Sequence, residues 1–213
     1  MRIATLRVMI ALIALIAIAA SAVTASACSR QSVPGAAKVI RPERGINQAL
    51  LDRAILSEVN FARCRAGLRP LRSETRLRHA AEGHSKWMAR ARSVSHVSTV
   101  AGQRSLKARM KRTGIKLRAG AENIGMVHRF RLDNTNFLIR DQATCQFTTH
   151  SRKQIPAHSY QSLAHTIVAF WMASHGHRAN ILNRKVTMVG TAAILDPRAE
   201  YCGKFYITQD FAG

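Results

Sequence analysis

The chain has 213 residues, 47% of them apolar, which suits one domain with a substantial core. Its 33 Lys+Arg against 11 Asp+Glu give a net charge of +22, favouring partners such as anionic lipid or an envelope polymer. The charge is spread along the chain, nothing resembles a helix-turn-helix or zinc finger, and no CxxC spacing exists. These features count against nucleic acid and against a cysteine zinc site.

Residues 1–27 read as an export signal: Arg2 and Arg7 precede an apolar run that ends in Ala25-Ser26-Ala27, an A-x-A cleavage site. A retained membrane span is the alternative, because the run approaches the ~20 residues a bilayer requires. Cys28 follows the cut, and Ser26-Ala27-Cys28 resembles the end of a lipobox, although Leu is usual where Ala25 stands. A lipid anchor on Cys28 is therefore one option and a plain secreted or periplasmic protein the other. Removing residues 1–27 leaves a net charge near +20. Residues 28–45 carry Pro, Gly, Ser and charges without apolar period and read as a linker.

Residues 46–66 predict a helix, with Leu51, Ile55, Val59 and Ala62 on one face and Gly67 and Pro70 ending it. A second helix is expected over 74–91, with Ser73 as N-cap and His84 on its apolar face as a hydrogen-bonded core histidine. A short basic helix is expected over 103–113 and a Gly-bracketed turn over 119–125. Residues 128–162 lack clear periodicity and read as a long loop. Another helix covers 163–174, and strands are expected over 186–195 and 201–211. Helices followed by a closing hairpin make an α+β layered single domain.

Four cysteines are present: Cys28, Cys64, Cys145 and Cys202. A Cys145–Cys202 bridge would staple the polar segment to the final strand. Cys64, inside a predicted helix, reads as a buried apolar residue.

Several segments together resemble the CAP superfamily, which includes cysteine-rich secretory proteins, antigen five and pathogenesis-related group one proteins. The match is with its bacterial, SCP-like branch. The segments are LSEVNFARCRAGLRPL (56–71), LRHAAEGHSKWMARARSVSH (77–96), GAENIG (120–125), FWMASHGHRANIL (170–182) and YITQDF (206–211). The resemblance spans residues 46–213 and implies a three-layer α-β-α sandwich. It also implies a cleft holding His96, Glu122 and His177. The family's second glutamate falls at Ser174 here, so any chemistry needing two carboxylates lacks one of them.

Two neutral imidazoles, His96 and His177, could bind a divalent metal such as zinc, with Glu122 as ligand, as a partner orienting an imidazole, or as general base. His175 reads as a spare surface histidine, and Asn123 and Asn180 as turn residues bonding to backbone. No G-x-S-x-G, Walker, H-E-x-x-H or G-x-G-x-x-G motif is present. The leading expectation is a non-enzymatic envelope or extracellular binding domain for a lipid or cell-wall ligand, with membrane contact through signal peptide or lipid anchor only. The alternatives are a metal-dependent hydrolase or peptidase using His96, His177 and Glu122, and a cationic protein acting by charge alone. The sequence leaves the oligomeric state open.

Overall fold

A computed structural model describes residues 28–213, so the expected signal peptide lies outside the described residues. Residues 31–213 form one compact unit. Helix α1 spans Gln48–Arg65, strand β1 Arg72–Ser73, helix α2 Thr75–Ala91 and helix α3 Leu106–Arg112. Then come β2 (Gly120–His128), the hairpin β3 (Leu138–Asp141) and β4 (Gln146–Thr148), helices α4 (Tyr160–Ala173) and α5 (His175–Ile181), and strands β5 (Met188–Asp196) and β6 (Lys204–Ala212). Among the described residues no helix is long and apolar enough to cross a membrane.

The main sheet runs β1-β5-β6-β2, with β6 antiparallel to both neighbours and β1 parallel to β5. Alternation along β6 sorts the layers. Phe205, Ile207 and Phe211 join the principal core with Leu51, Ile55 and Val59 of α1 and Leu163, Ile167 and Trp171 of α4. Tyr206 and Ala212 point to the other face, where Leu77 and Met88 of α2 and Met110 of α3 cover them. The result is helices, sheet, helices: the three-layer α-β-α sandwich.

Helix side chains close the backbone that the strand ladder leaves open. Beyond the two-residue β1, the exposed side of β5 is met by α1. Asp52 accepts from Thr191 N at 2.7 Å, and Gln48 both donates to Ala193 O (2.7 Å) and accepts from Ala193 N (3.1 Å). Asp52 also accepts from the Ser73 hydroxyl. Ser73 thus lies in β1, and Glu74 is the N-cap of α2, accepting from Arg76 N.

Three regions differ from the sequence expectation. The 119–125 turn is the start of β2. Gly125 stands in that strand because a Cβ there would lie 2.7 Å from Ile167 Cδ1 and 3.3 Å from Trp171 Nε1; the glycine admits the close approach of α4. The 128–162 loop is an ordered satellite. Phe147, Leu132 and Ile155 are buried in it, with Phe137 and Tyr201 edge-on at 5.1 Å, and a Cys145–Cys202 disulfide crosses it. The last strand begins at Lys204 rather than Tyr201, because Tyr201, Cys202 and Gly203 all have positive φ.

The expected linker also packs on the domain. Ala36 and Ile40 enter the main core, Ile40 N donates to His158 O at 2.9 Å, and Gln161 N donates to Ala36 O at 2.8 Å. The segment therefore fixes the start of α4, where Ser159 and Ser162 form a capping box. No described cysteine is free. Cys64 is disulfide-bonded and half-buried, not the apolar thiol its helix position predicts, and Cys28 is disulfide-bonded too.

Candidate functional site

Glu122 lies on β2, facing the α2–α3 layer, and only 4% of it is exposed. Both carboxylate oxygens are taken. His96 Nδ1 donates to Oε1 at 2.7 Å, and Arg109 Nη2 donates to Oε2 at 2.6 Å. His84 Nε2 stands 3.9 Å from Oε2 and donates to Ser95 O at 2.9 Å. Burial alone would raise the Glu122 carboxyl, but His96, Arg109 and His84 outweigh it and hold it below its ordinary value.

Arg109, from α3, is the residue that sequence reasoning missed. It is 2% exposed and organises the loop carrying His96. Nη2 also donates to His96 O (3.1 Å), and Nη1 donates to Gln103 O (3.1 Å) and Arg104 O (3.3 Å). One guanidinium thus neutralises the carboxylate and closes the 96–104 loop over it. In the sequence Arg109 is one of several basic residues on a short helix, and nothing marks it as the buried one.

Asp210 was also missed. It pairs with Glu122 across the β2–β6 ladder and is fully buried, and apart from the neighbouring Glu122 carboxylate neither oxygen has a hydrogen-bond partner among the described residues. Burial first, and the Glu122 charge second, push its carboxyl well above the usual range, against Arg109. Two further buried atoms here lack partners, His84 Nδ1 and Arg109 Nε. His84 is the core histidine expected, stacked on Trp87 at 5.5 Å, and burial lowers its pKa.

His177 approaches from the other layer, on α5. It is half-buried; burial and the neighbouring His96 lower its pKa. Its helix is clasped to β2 by amides. Asn180 Nδ2 donates to Glu122 O (3.1 Å) and Asn123 Oδ1 (2.9 Å), and Asn123 Nδ2 donates to His177 O (3.2 Å). These asparagines sit in a helix and a strand rather than in turns. Ser174 is the residue between α4 and α5, half-buried and without a side-chain capping bond. His175 opens α5 exposed to solvent.

His96 donates through Nδ1, which leaves Nε2 as its free lone pair, and its side chain is 53% exposed. A carboxylate behind an imidazole is the usual support for a metal-binding histidine. A third donor is missing: among the described residues no three His, Cys, Asp or Glu side chains converge on one metal position. Glu122, with both oxygens engaged, supports His96 rather than offering a ligand of its own.

The chain matches the family model described as CAP: Cysteine-rich secretory protein family, over residues 56–211. No curated protein matches it. Among solved structures it is similar to an extracellular protein containing a SCP domain from Bacillus anthracis, with a TM-score of 0.54 and 22% identity. That match covers 82% of this chain and 44% of the Bacillus protein, so the chain spans less than half of that protein's length. It is also similar to an outer surface protein from Borrelia burgdorferi, with a TM-score of 0.52 and 11% identity over 78% of this chain and 96% of that one. At these identities the likeness shows the fold.

Proposed function

The chain belongs to the cysteine-rich secretory protein (CAP) family, and from that premise we propose that it is a non-enzymatic binding domain of the envelope or extracellular space, with the His96–His177 cleft as its ligand site. One observation carries this reading: each Glu122 oxygen is already held by a basic side chain, His96 at Oε1 and Arg109 at Oε2. A hydrolase with Glu122 as its base needs that carboxylate open to a water, to take its proton. Here the Glu122 carboxylate is buried and held by His96 at 2.7 Å and Arg109 at 2.6 Å, Asp210 beside it is fully buried, and Ser174 carries no acid. What the cleft offers instead is His96 Nε2 and the His177 ring, two soft nitrogen donors beside water. They can hydrogen-bond a polar ligand head or hold a divalent ion weakly, with water or ligand completing its shell.

The disulfide-bonded cysteines and the extracellular Bacillus and outer-surface Borrelia structures support export. The Cys28 sulfur is already in a disulfide, and a lipid thioether would need that same atom. A free, oxidised N-terminal segment is therefore the form we favour over a lipid anchor.

The test is calorimetric titration with zinc at mildly alkaline pH, beside an assay with fluorogenic peptides and esters in the same buffer. Expected is weak saturable zinc binding that is lost in His177→Ala, and no turnover of any substrate. Turnover abolished by Glu122→Gln would overturn the binding reading.

A further inference from the structure

The edge of the sheet opposite β2, beyond the C-terminal end of α1, holds a concavity with a volume of about 580 Å3. Its lining includes four arginines, Arg63, Arg69, Arg72 and Arg184, and no acidic side chain. Leu68, Pro70 and Val186 supply apolar wall between them.

Arg63 is the unusual member. It is 2% exposed, and all its partners are neutral carbonyls: Nε donates to Arg69 O at 2.9 Å, and Nη1 to Ile181 O at 2.6 Å and Asn183 O at 3.0 Å. Burial lowers its pKa, and no carboxylate opposes that cost. Buried cations are normally paired with an anion. The acids on either side in sequence have other partners: Glu58 is met by His165 at 3.4 Å, and Glu74 by Arg76 at 2.9 Å and Arg72 at 3.8 Å. Among the described residues Arg63, Arg69 and Arg184 form no ion pair.

A purely structural role explains part of this. Arg63 closes the C-terminal carbonyls of α5 and ties down the loop at Arg69. That accounts for Nε and Nη1 but gives Nη2 no hydrogen-bond partner among the described residues, and it does not explain three more guanidiniums around one cavity. Guanidinium forks match the geometry of phosphate oxygens, and the cavity volume lies within the range of small-molecule sites.

We propose that this cavity binds the phosphate group of a small phosphoester, with Arg69 and Arg184 closing on the phosphate from the rim, Arg63 beneath it, and the organic part against Leu68 and Pro70. The phosphate can be carried by a soluble metabolite or by a lipid head group; the chemistry that recognises it is the same. The site is separate from the histidine cleft, since it lies at the other edge of the sheet and shares no residue with it.

The purified protein is titrated calorimetrically with glycerol 3-phosphate at physiological salt and, separately, with phosphatidylcholine vesicles with and without phosphatidic acid. Variants are Arg69→Glu/Arg184→Glu and, as a charge-matched control, Lys107→Glu/Lys111→Glu on the exposed side of α3. Only the side chains of Arg69 and Arg184 are altered, so the Arg69 carbonyl that holds Arg63 is kept. Expected is saturable binding at one site in wild type and control, and at least a tenfold loss in the arginine pair with an unchanged thermal midpoint. If the glutamate pair unfolds, Arg69→Gln/Arg184→Gln carries the same comparison. Tight glycerol 3-phosphate binding assigns a soluble ligand. Binding only to vesicles containing phosphatidic acid, lost in the arginine pair, assigns a lipid head group. Absence of saturable binding to either probe, or equal losses in both variant pairs, overturns the proposal; the second result would mean that the net positive charge alone is at work.

Discussion

Glu122 and Asp210 stand directly opposite one another on antiparallel β2 and β6, both buried, with a single guanidinium, Arg109, beside them. Two buried carboxylates and one cation cannot all be charged without cost. Glu122 holds the direct bond to Arg109 and is driven below its ordinary pKa, while Asp210 is driven well above its own. The pair therefore divides its roles: Glu122 is the anion and Asp210 keeps its proton.

Asp210→Asn tests that division. A carboxyl whose folded pKa is raised costs stability as pH climbs from its unfolded value of about 3.9 through the folded one, and costs nothing below both. The amide removes that cost without changing shape. The variant should be more stable than wild type near neutral pH, by about 1–2 kcal/mol, and equal to it below about pH 4. Thermal midpoints at the two pH values decide the matter. A variant less stable at neutral pH would mean that Asp210 is ionised and paired.

Arg109→Met should act in the opposite direction. It strands Glu122 in a buried position and frees the carbonyls of His96, Gln103 and Arg104. Breaking a buried pair in this way costs roughly 3–5 kcal/mol. The pH dependence carries the diagnosis. Glu122 has a depressed folded pKa, so its stabilisation is fully present above the unfolded value of about 4.3 and is lost as pH falls through the folded value. Urea unfolding as a function of pH should show that acid-side loss in wild type and a much smaller one in the variant.

The Cys145–Cys202 disulfide closes a segment whose ends are 57 residues apart. In the chain-entropy model its removal costs about 3–4 kcal/mol. Phe147 and Ile155 of the satellite core lie inside that segment and pack with Leu132 from before it, and the four-stranded sheet forms without β3 and β4. The double Cys→Ser variant should therefore open first between residues 130 and 156. Hydrogen exchange should show lost protection there while β5 and β6 keep theirs; uniform loss would mean that satellite and sandwich unfold as one unit.

Much of the sandwich was legible because its elements carry a strong period. Leu51, Ile55 and Val59 mark α1, and the aliphatic and aromatic alternation of β5 and β6 marks the closing hairpin. Around Glu122 only the motif residues His96, Glu122 and His177 were legible. β2 was hidden by its own function: Gly125 makes room for Trp171, while Glu122 and Asn123 put polar side chains on both faces, so no apolar alternation remains. The seven-residue α5 was hidden because it buries one core side chain, Ile181, too few to make an apolar period. Arg109 and Asp210 could not be singled out, since their importance is a fact of burial, and burial of a charge leaves no trace in a single sequence.

The amide clasp gives the last prediction. Asn180 Nδ2 supplies one proton to Glu122 O and one to Asn123 Oδ1, and Asn123 in turn holds His177 O and Gln209 Oε1. The clasp is reciprocal, with Asn180 donating from α5 into β2 and Asn123 donating from β2 back to the His177 carbonyl, and it sets the position of His177 relative to β2. Asn180→Ala leaves Asn123 Oδ1, which is fully buried, without its donor, at a cost of about 1–3 kcal/mol. Asn180→Asp is nearly the same shape but places acceptor oxygens against two acceptors. It should therefore be more damaging than the smaller alanine, contrary to what size alone dictates. Urea midpoints should fall in the order wild type, Ala, Asp, and zinc affinity at the cleft should weaken in the same order while the protein remains folded. If Asp is tolerated better than Ala, the amide is not the donor in these bonds, and α5 is held to β2 by packing alone.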